Sequence, residues 1–351
     1  PCIVWQLFLC VMLAVENARL LCIPGTVTSS VTDLYGHHVG RRGVLATTLI
    51  ASPAGALELE PNPEEVIQLN KAFAAELGDP ARSGVVTELI EAESIFGPLI
   101  ARWEGPLERP AGECVSLRVG RAHVRSMLNN IADGGRPGGP RLPDKVAGAL
   151  EDLDVAIGLM DRGAPGDFPK VLLRRALARE QLQRWEEAIA DYSRAIESLP
   201  ANNDPREVCE LVTFRGDALL HLGRYSEALE EYEAATQILT RKKLFRLMSL
   251  SRTNEAFALF GGGNRQVAIQ TFQTVLRQDP YVTDAHAALA ALYWADGNIA
   301  AAEETWSFAC EKIDTGCRQY TDLEWVAGVR KWPPGLIMEL RNFLTRKTPG
   351  R

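Results

Sequence analysis

One spacing recurs along this chain: an alanine, three residues, an aromatic, two residues, and a small or branched residue. It reads Ala188-Tyr192-Ala195, Ala228-Tyr232-Ala235, Ala268-Phe272-Val275 and Ala302-Trp306-Ala309, with the leading alanines 40, 40 and 34 residues apart. Positions i, i+4 and i+7 return to one side of an α-helix, so each set is a stripe along a helix. The alanine lets a partner helix approach closely, and the aromatic fills the space between neighbouring hairpins. A period of this size marks helix hairpins stacked into a solenoid. Such folds present an extended concave surface instead of a closed pocket, which favours binding over catalysis.

The segment before each stripe supplies the first helix of a pair: 172–182, 212–222 and 286–295. Turns follow at "LGRY" (222–225), "GGNR" (262–265) and "DGNI" (296–299), where glycine suits a helix end that needs a left-handed residue. Gln183 takes that place in 182–185, so this turn is expected to cost slightly more. Pro200 and Pro280 stop the second helices of their units. The stretches "RALAREQLQRWEEAIADYSRAIESLP" and "RGDALLHLGRYSEALEEYEAAT" resemble the tetratricopeptide repeat at its core positions, and two later copies are weaker but in phase.

Two eroded units precede these. Ala149-Leu153-Ala156 reads as a second helix whose first helix is "SLRVGRAHVRSML", with Arg121-Ala122 aligned on Arg175-Ala176. Between them lies the Gly/Pro-rich "NNIADGGRPGGPRLPDK", a loop inserted within one hairpin. Ala92-Phe96-Leu99 marks another second helix, which Gly97-Pro98 should kink or weaken. The expectation is an all-α, right-handed superhelical solenoid of about six tetratricopeptide-type hairpins with a C-terminal capping helix. Its divisions are a leader over 1–56, an N-terminal helix and linker over 57–83, the solenoid over 84–320 with the loop near 129–145, and a capping segment over 321–351.

Arg41-Arg42 precede the apolar "GVLATTLIASPAGA", which ends on the small residues Ala54 and Ala56. This layout is that of an export signal, and the paired arginines resemble a twin-arginine signal. The apolar runs here and in "WQLFLCVMLAV" are too short to span a bilayer, so no stable membrane span is expected in the mature chain. The region from Met12 lacks the Ser/Arg richness of a plastid transit peptide, which stands against plastid import. At the other end, "LEWVAGVRKWPP", with Trp325 and Trp332-Pro333-Pro334, resembles the ending of the plant and algal thylakoid-lumen tetratricopeptide proteins. That resemblance implies a chloroplast location in the thylakoid lumen, with another exported or plastid compartment as the alternative, and no catalytic activity.

A net charge of −7 argues against a nucleic-acid groove, which would need a basic stripe. His123, His221 and His286 sit in separate first helices without metal-ligand spacing, and no phosphate loop or nucleophile motif occurs. No metal, cofactor or catalytic residue is expected. Past the leader, Cys114, Cys209, Cys310 and Cys317 are expected as buried or isolated thiols, with a disulfide between the nearby Cys310 and Cys317 as the lesser alternative because spacing alone does not bring their sulfurs into range.

In tetratricopeptide superhelices the first helices line the concave face. The resemblance places there Lys170, Leu173, Leu177 and Glu180, then Glu210, Thr213, Asp217 and His221, then Leu250, Thr253, Phe257 and Phe260, then Asp284, Ala287, Ala291 and Trp294. The Lys/Asn set by which chaperone adaptors hold a peptide's C-terminal carboxylates is missing. Leu173, Leu177, Leu250, Phe257, Phe260 and Trp294 form the candidate partner-binding groove, either for an extended or helical peptide or for the chain's own segment after Gln319 folded back on them. The function expected is a non-catalytic protein–protein interaction scaffold, assisting assembly or maintenance of a photosynthetic complex. The alternatives are an accessory subunit docking on an enzyme through "EEYEAATQILTRKK", or an enzyme with an unrecognised site.

Overall fold

A computed structural model describes residues 85–104, 111–131, 142–201, 203–313 and 317–346. The leader with Arg41, Arg42, Ala54 and Ala56, the 57–83 segment and the middle of the Gly/Pro loop lie outside the described residues. The described residues hold thirteen α-helices, one 3-10 turn and no strand. They divide into two compact units with the boundary between Asp167 and Phe168.

The first unit contains α1 (Val85–Glu104), α2 (Ala111–Ile131) and α3 (Pro143–Asp161). Leu89, Phe96, Trp103, Leu117, Val124 and Leu153 form its buried interior. Pro98 does not end α1, which continues to Glu104. A proline removes one backbone bond and crowds the preceding turn, but Phe96 and Leu99 on either side of it are buried and hold both halves in place.

In α2 and α3 the eroded unit declares its kinship through an ion network. Asp152 of α3 accepts from Arg118 Nη1 at 2.8 Å, from Arg121 Nε at 2.7 Å and from Arg125 Nη1 at 2.9 Å. Arg125 Nη1 also donates to the Gly148 carbonyl at 2.8 Å. The first hairpin of the second unit repeats the pattern. There Asp191 accepts from Arg175 Nε at 2.8 Å and Arg179 Nη1 at 2.6 Å, and Arg179 reaches the Glu187 carbonyl at 3.1 Å. Two arginines one turn apart on a first helix grip a buried aspartate on the second, and bind the carbonyl four residues before it. The alignment of Arg121 with Arg175 therefore extends to Arg125 with Arg179 and Asp152 with Asp191, across the inserted loop.

The second unit stacks four hairpins: α4 (Phe168–Gln181) with α5 (Trp185–Glu197), α6 (Pro205–His221) with α7 (Tyr225–Arg241), α8 (Phe245–Gly261) with α9 (Arg265–Gln278), and α10 (Thr283–Ala295) with α11 (Ile299–Lys312). A 3-10 turn (Arg318–Thr321), α12 (Leu323–Gly328) and α13 (Pro334–Leu344) complete it. The stripes that define the period are buried: Ala188, Tyr192, Ala195, Ala228, Tyr232, Ala235, Ala268, Phe272 and Val275 have no exposed surface. The aromatic of the second stripe requires a glycine opposite it, since a Cβ on Gly216 would lie 2.8 Å from Tyr232 Cε1. Trp306 of the last stripe is only half-buried and meets Phe343 of α13 edge-on at 5.2 Å between ring centroids.

The first helices end alike. Gly223, Gly263 and Gly297 take positive φ, and Gln183 does so at φ 62°. In each case the next residue's N–H returns to a carbonyl five residues back, as from Arg184 to Arg179 at 2.8 Å and from Arg224 to Leu219 at 2.9 Å. Lys243, between α7 and α8, adopts the same geometry at φ 58°, a position with no glycine to announce it.

Two cysteines expected as separate thiols are joined. Cys310, in the last turn of α11, is bonded to Cys317, with Cα atoms 4.7 Å apart. Seven residues of separation bring two thiols together only where the chain reverses, and here it reverses as it leaves α11. Cys114 and Cys209 are buried and unbonded to one another, as expected. Closing so short a loop restricts the unfolded chain by about 2–3 kcal/mol. Converting both Cys310 and Cys317 to Ser is therefore expected to lower the melting temperature of the second unit by about 5 °C. A thermal scan read by circular dichroism, with and without reductant, checks this. An unchanged midpoint in both would show that the bond contributes nothing.

Candidate functional site: the inner face of the second unit

The first helices α4, α6, α8 and α10 present one shared face, and residues of the segment from Tyr320 to Trp332 lie against it. Three acidic side chains from three hairpins mark the face. Glu180 of α4 is 2% exposed, and its carboxylate accepts from Lys331 Nζ at 2.8 Å and from the Tyr192 hydroxyl at 3.0 Å. Asp217 of α6 accepts from the Tyr232 hydroxyl at 2.7 Å. Asp284 of α10 accepts from Arg330 Nε at 3.0 Å and from Trp332 Nε1 at 3.1 Å, while a second Arg330 nitrogen completes a bidentate pair. Tyr192 and Tyr232 thus have two duties. Their rings fill the stripes of the repeat, and their hydroxyls reach through to carboxylates on the inner face.

Lys331 is 2% exposed and sits at φ 53°, a left-handed backbone for a long side chain. Its ammonium lies 5.2 Å above the Trp185 ring, within cation–π range. Trp332 packs on Phe257 at 5.0 Å and on Tyr320 at 5.7 Å. Tyr320 in turn meets Trp325 edge-on at 5.3 Å. The segment is shaped locally by its own sequence: Asp322 caps α12 by accepting from the Glu324 and Trp325 N–H groups, both at 3.0 Å. Pro333 and Pro334 then end the extended stretch, with Pro334 opening α13 where its missing N–H costs nothing.

Of the six groove residues expected from sequence, Phe257, Phe260 and Trp294 meet the C-terminal segment. Leu177, Phe257 and Trp294 are buried, and Leu173, Leu250 and Phe260 are half-buried. Phe257 is covered by Trp332 and Trp294 by Phe343, while Phe260 approaches Gly335. At Phe257, Phe260 and Trp294 the face therefore meets the chain's own C-terminal segment. The sequence reading had placed Glu180, Asp217 and Asp284 on the inner face but left them out of the groove, and it passed over Arg330 and Lys331. The available signal was four acids among the inner positions, Glu180, Glu210, Asp217 and Asp284, and a basic pair just before Trp332-Pro333-Pro334.

Desolvation pushes the Glu180 carboxyl above its ordinary value of 4.5, and the Lys331 ammonium opposes the shift without cancelling it. Desolvation likewise raises Asp217 above 3.8, against Lys331 and the Tyr232 hydroxyl. A carboxyl with a raised folded-state pKa takes up a proton on folding. Its stability contribution is fully present below the unfolded value and is lost as pH rises through the raised one. Asp217→Asn keeps an oxygen for the Tyr232 hydroxyl and removes the titration. Relative to the parent, the variant is expected to melt at a progressively higher temperature as pH goes from about 4 to about 7. A parallel pair of melting curves across that range would refute the assignment.

Comparison with known proteins agrees with the hairpins. Tetratricopeptide-repeat models match residues 170–201, 210–238 and 253–306. The chain carries tetratricopeptide repeats. The matched parts fall in α4–α5, α6–α7 and the α8–α11 stretch, and the models do not reach α2 and α3. Among solved structures, the chain is similar to the apo form of RapI, at 12% identity over 80% of this chain and 95% of that one, with a TM-score of 0.55. It is also similar to NprR in complex with its cognate peptide NprX, at 13% identity over 90% and 82% of the two chains and a TM-score of 0.51. At these identities the likeness is one of fold. Among curated proteins, none matches the chain by sequence. No described helix is long and apolar enough to cross a membrane.

Proposed function

We propose that this tetratricopeptide-repeat protein is a non-catalytic scaffold that binds protein or peptide partners on the inner face of its second unit. The observation that carries the reading is the grip of that face on the segment that follows α12. Carboxylates from separate hairpins meet consecutive basic side chains, and aromatics from both sides interleave around them. The likeness in fold to NprR, whose structure holds its cognate peptide NprX, supports it. For its location we propose the thylakoid lumen, where it would assist assembly or maintenance of a photosynthetic complex. Support for that comes from the Arg41-Arg42 leader and from Trp325 and Trp332-Pro333-Pro334. The Cys310–Cys317 bond suits a compartment that tolerates disulfides.

Affinity capture from isolated thylakoid lumen tests this, with the full chain as bait and an Asp217→Lys, Asp284→Lys variant as control. Partners retained by the parent and lost by a folded variant are expected. Equal capture by both would remove the inner face as the binding surface, and a tagged precursor found in the cytosol would remove the lumenal location.

A further inference from the structure

We propose that the inner face of the second unit is selective for a peptide with two adjacent basic residues followed by an aromatic, and that Arg330, Lys331 and Trp332 occupy this site in cis. The inference rests on the preceding reading of that face as a binding surface and adds the chemistry of what it binds.

Three observations carry it. The first is charge: Glu180 and Asp284 belong to the first and last hairpins of the unit, yet their partners Lys331 and Arg330 are neighbours in sequence. Distant acceptors converging on a linear motif is how a groove recognises a peptide. The second is energetic. A buried ion pair adds little stability over well-packed apolar residues of similar volume. A segment that only sealed an apolar face would not need a lysine buried to 2% exposure. The third is selectivity: the hydroxyls of Tyr192 and Tyr232 hold Glu180 and Asp217 in place, so an acidic peptide would set unpaired like charges against them in a desolvated site.

Because the cis segment is tethered, it is present at an effective concentration of order millimolar, and a free peptide competes only when the tethered copy is weakened. Lys331→Ala in the full chain supplies that weakening. The probe is a fluorescein-labelled peptide with the sequence of residues 320–335, measured by anisotropy. It is expected to bind Lys331→Ala at least tenfold more tightly than it binds the parent. Adding Glu180→Gln should weaken binding at least tenfold, and rising salt should weaken it further. A control peptide with Glu at both basic positions should not bind.

Should Lys331→Ala fail to fold, the parent chain with millimolar peptide serves instead. Faster amide exchange at 320–332 on adding the basic peptide, and not the control, supports the proposal. Equal binding of the acidic control overturns the charge selectivity and leaves a peptide-binding scaffold. Absence of binding and of displacement in a folded chain overturns the proposal entirely. The scaffold reading would then stand or fall on the lumenal capture alone.

Discussion

Trp332→Ala is expected to lower the melting temperature of the second unit by about 10 °C. Trp332 is 3% exposed, packs on Phe257 and Tyr320, and donates its indole N–H to Asp284. Truncating a buried tryptophan costs about 3–5 kcal/mol through lost contacts and the void left behind. For a unit of this size each kcal/mol moves the midpoint by about 2–4 °C. The site of the loss is as informative as its size. If the segment docks on a solenoid that stands without it, the damage is limited to release of that segment. Amide exchange should then accelerate at 320–332 while α6 and α8 keep their protection. Loss of protection in α6 and α8 together with the segment would mean that the solenoid depends on its own tail for folding. It would also rule out a groove that a partner could occupy in its place.

In the first unit the largest effect is expected from Asp152→Ala. That carboxylate has no exposed surface and pairs with Arg118, Arg121 and Arg125 at once, while Glu104 also holds Arg118 and Glu93 also holds Arg125. Removing it takes the bonded carboxylate from Arg121 and leaves Arg118 and Arg125 with Glu104 and Glu93. Breaking such a pair from one side costs about 3–5 kcal/mol, a large share of the 5–15 kcal/mol typical of a whole domain. The variant is expected to lose amide protection throughout α2 and α3, with the buried Trp103 emitting as if in water. Asp152→Asn keeps an oxygen acceptor and should fall between parent and Ala. Because Asp191 holds Arg175 and Arg179 in the same way, Asp191→Ala is the matched comparison, with its damage confined to the second unit. Unperturbed exchange in α2 of Asp152→Ala would show that the network is dispensable.

Much of this molecule could be read in one dimension, and particular residues show why. Ala188, Tyr192 and Ala195 can share a helix face only if the chain is helical, and recurrence at 34–40 residues leaves few folds other than stacked hairpins. Gln183 was legible as a left-handed turn because it stands where the other turns have glycine, and its φ is 62°. Lys243 was not legible, since no glycine in an equivalent position marks it. Pro98 was expected to kink or weaken its helix, and the helix runs through it from Val85 to Glu104. The tie between Cys310 and Cys317 could not be read either. Pairing depends on where the chain turns, and sequence separation does not give that.

The sequence by itself determined the hairpins, their period and the side of each helix that is buried, because those follow from local geometry and the spacing of apolar residues. It also placed Glu180, Asp217 and Asp284 on one face. Only the tertiary structure decided what that face holds. Lys331 and Glu180 are 151 residues apart, and nothing in the local pattern of either predicts a buried pair at 2.8 Å. The physical reason is that helix formation is governed by neighbours within a turn or two. The fit of one segment into a distant groove is governed by charge and shape that come together only when the whole unit has stacked.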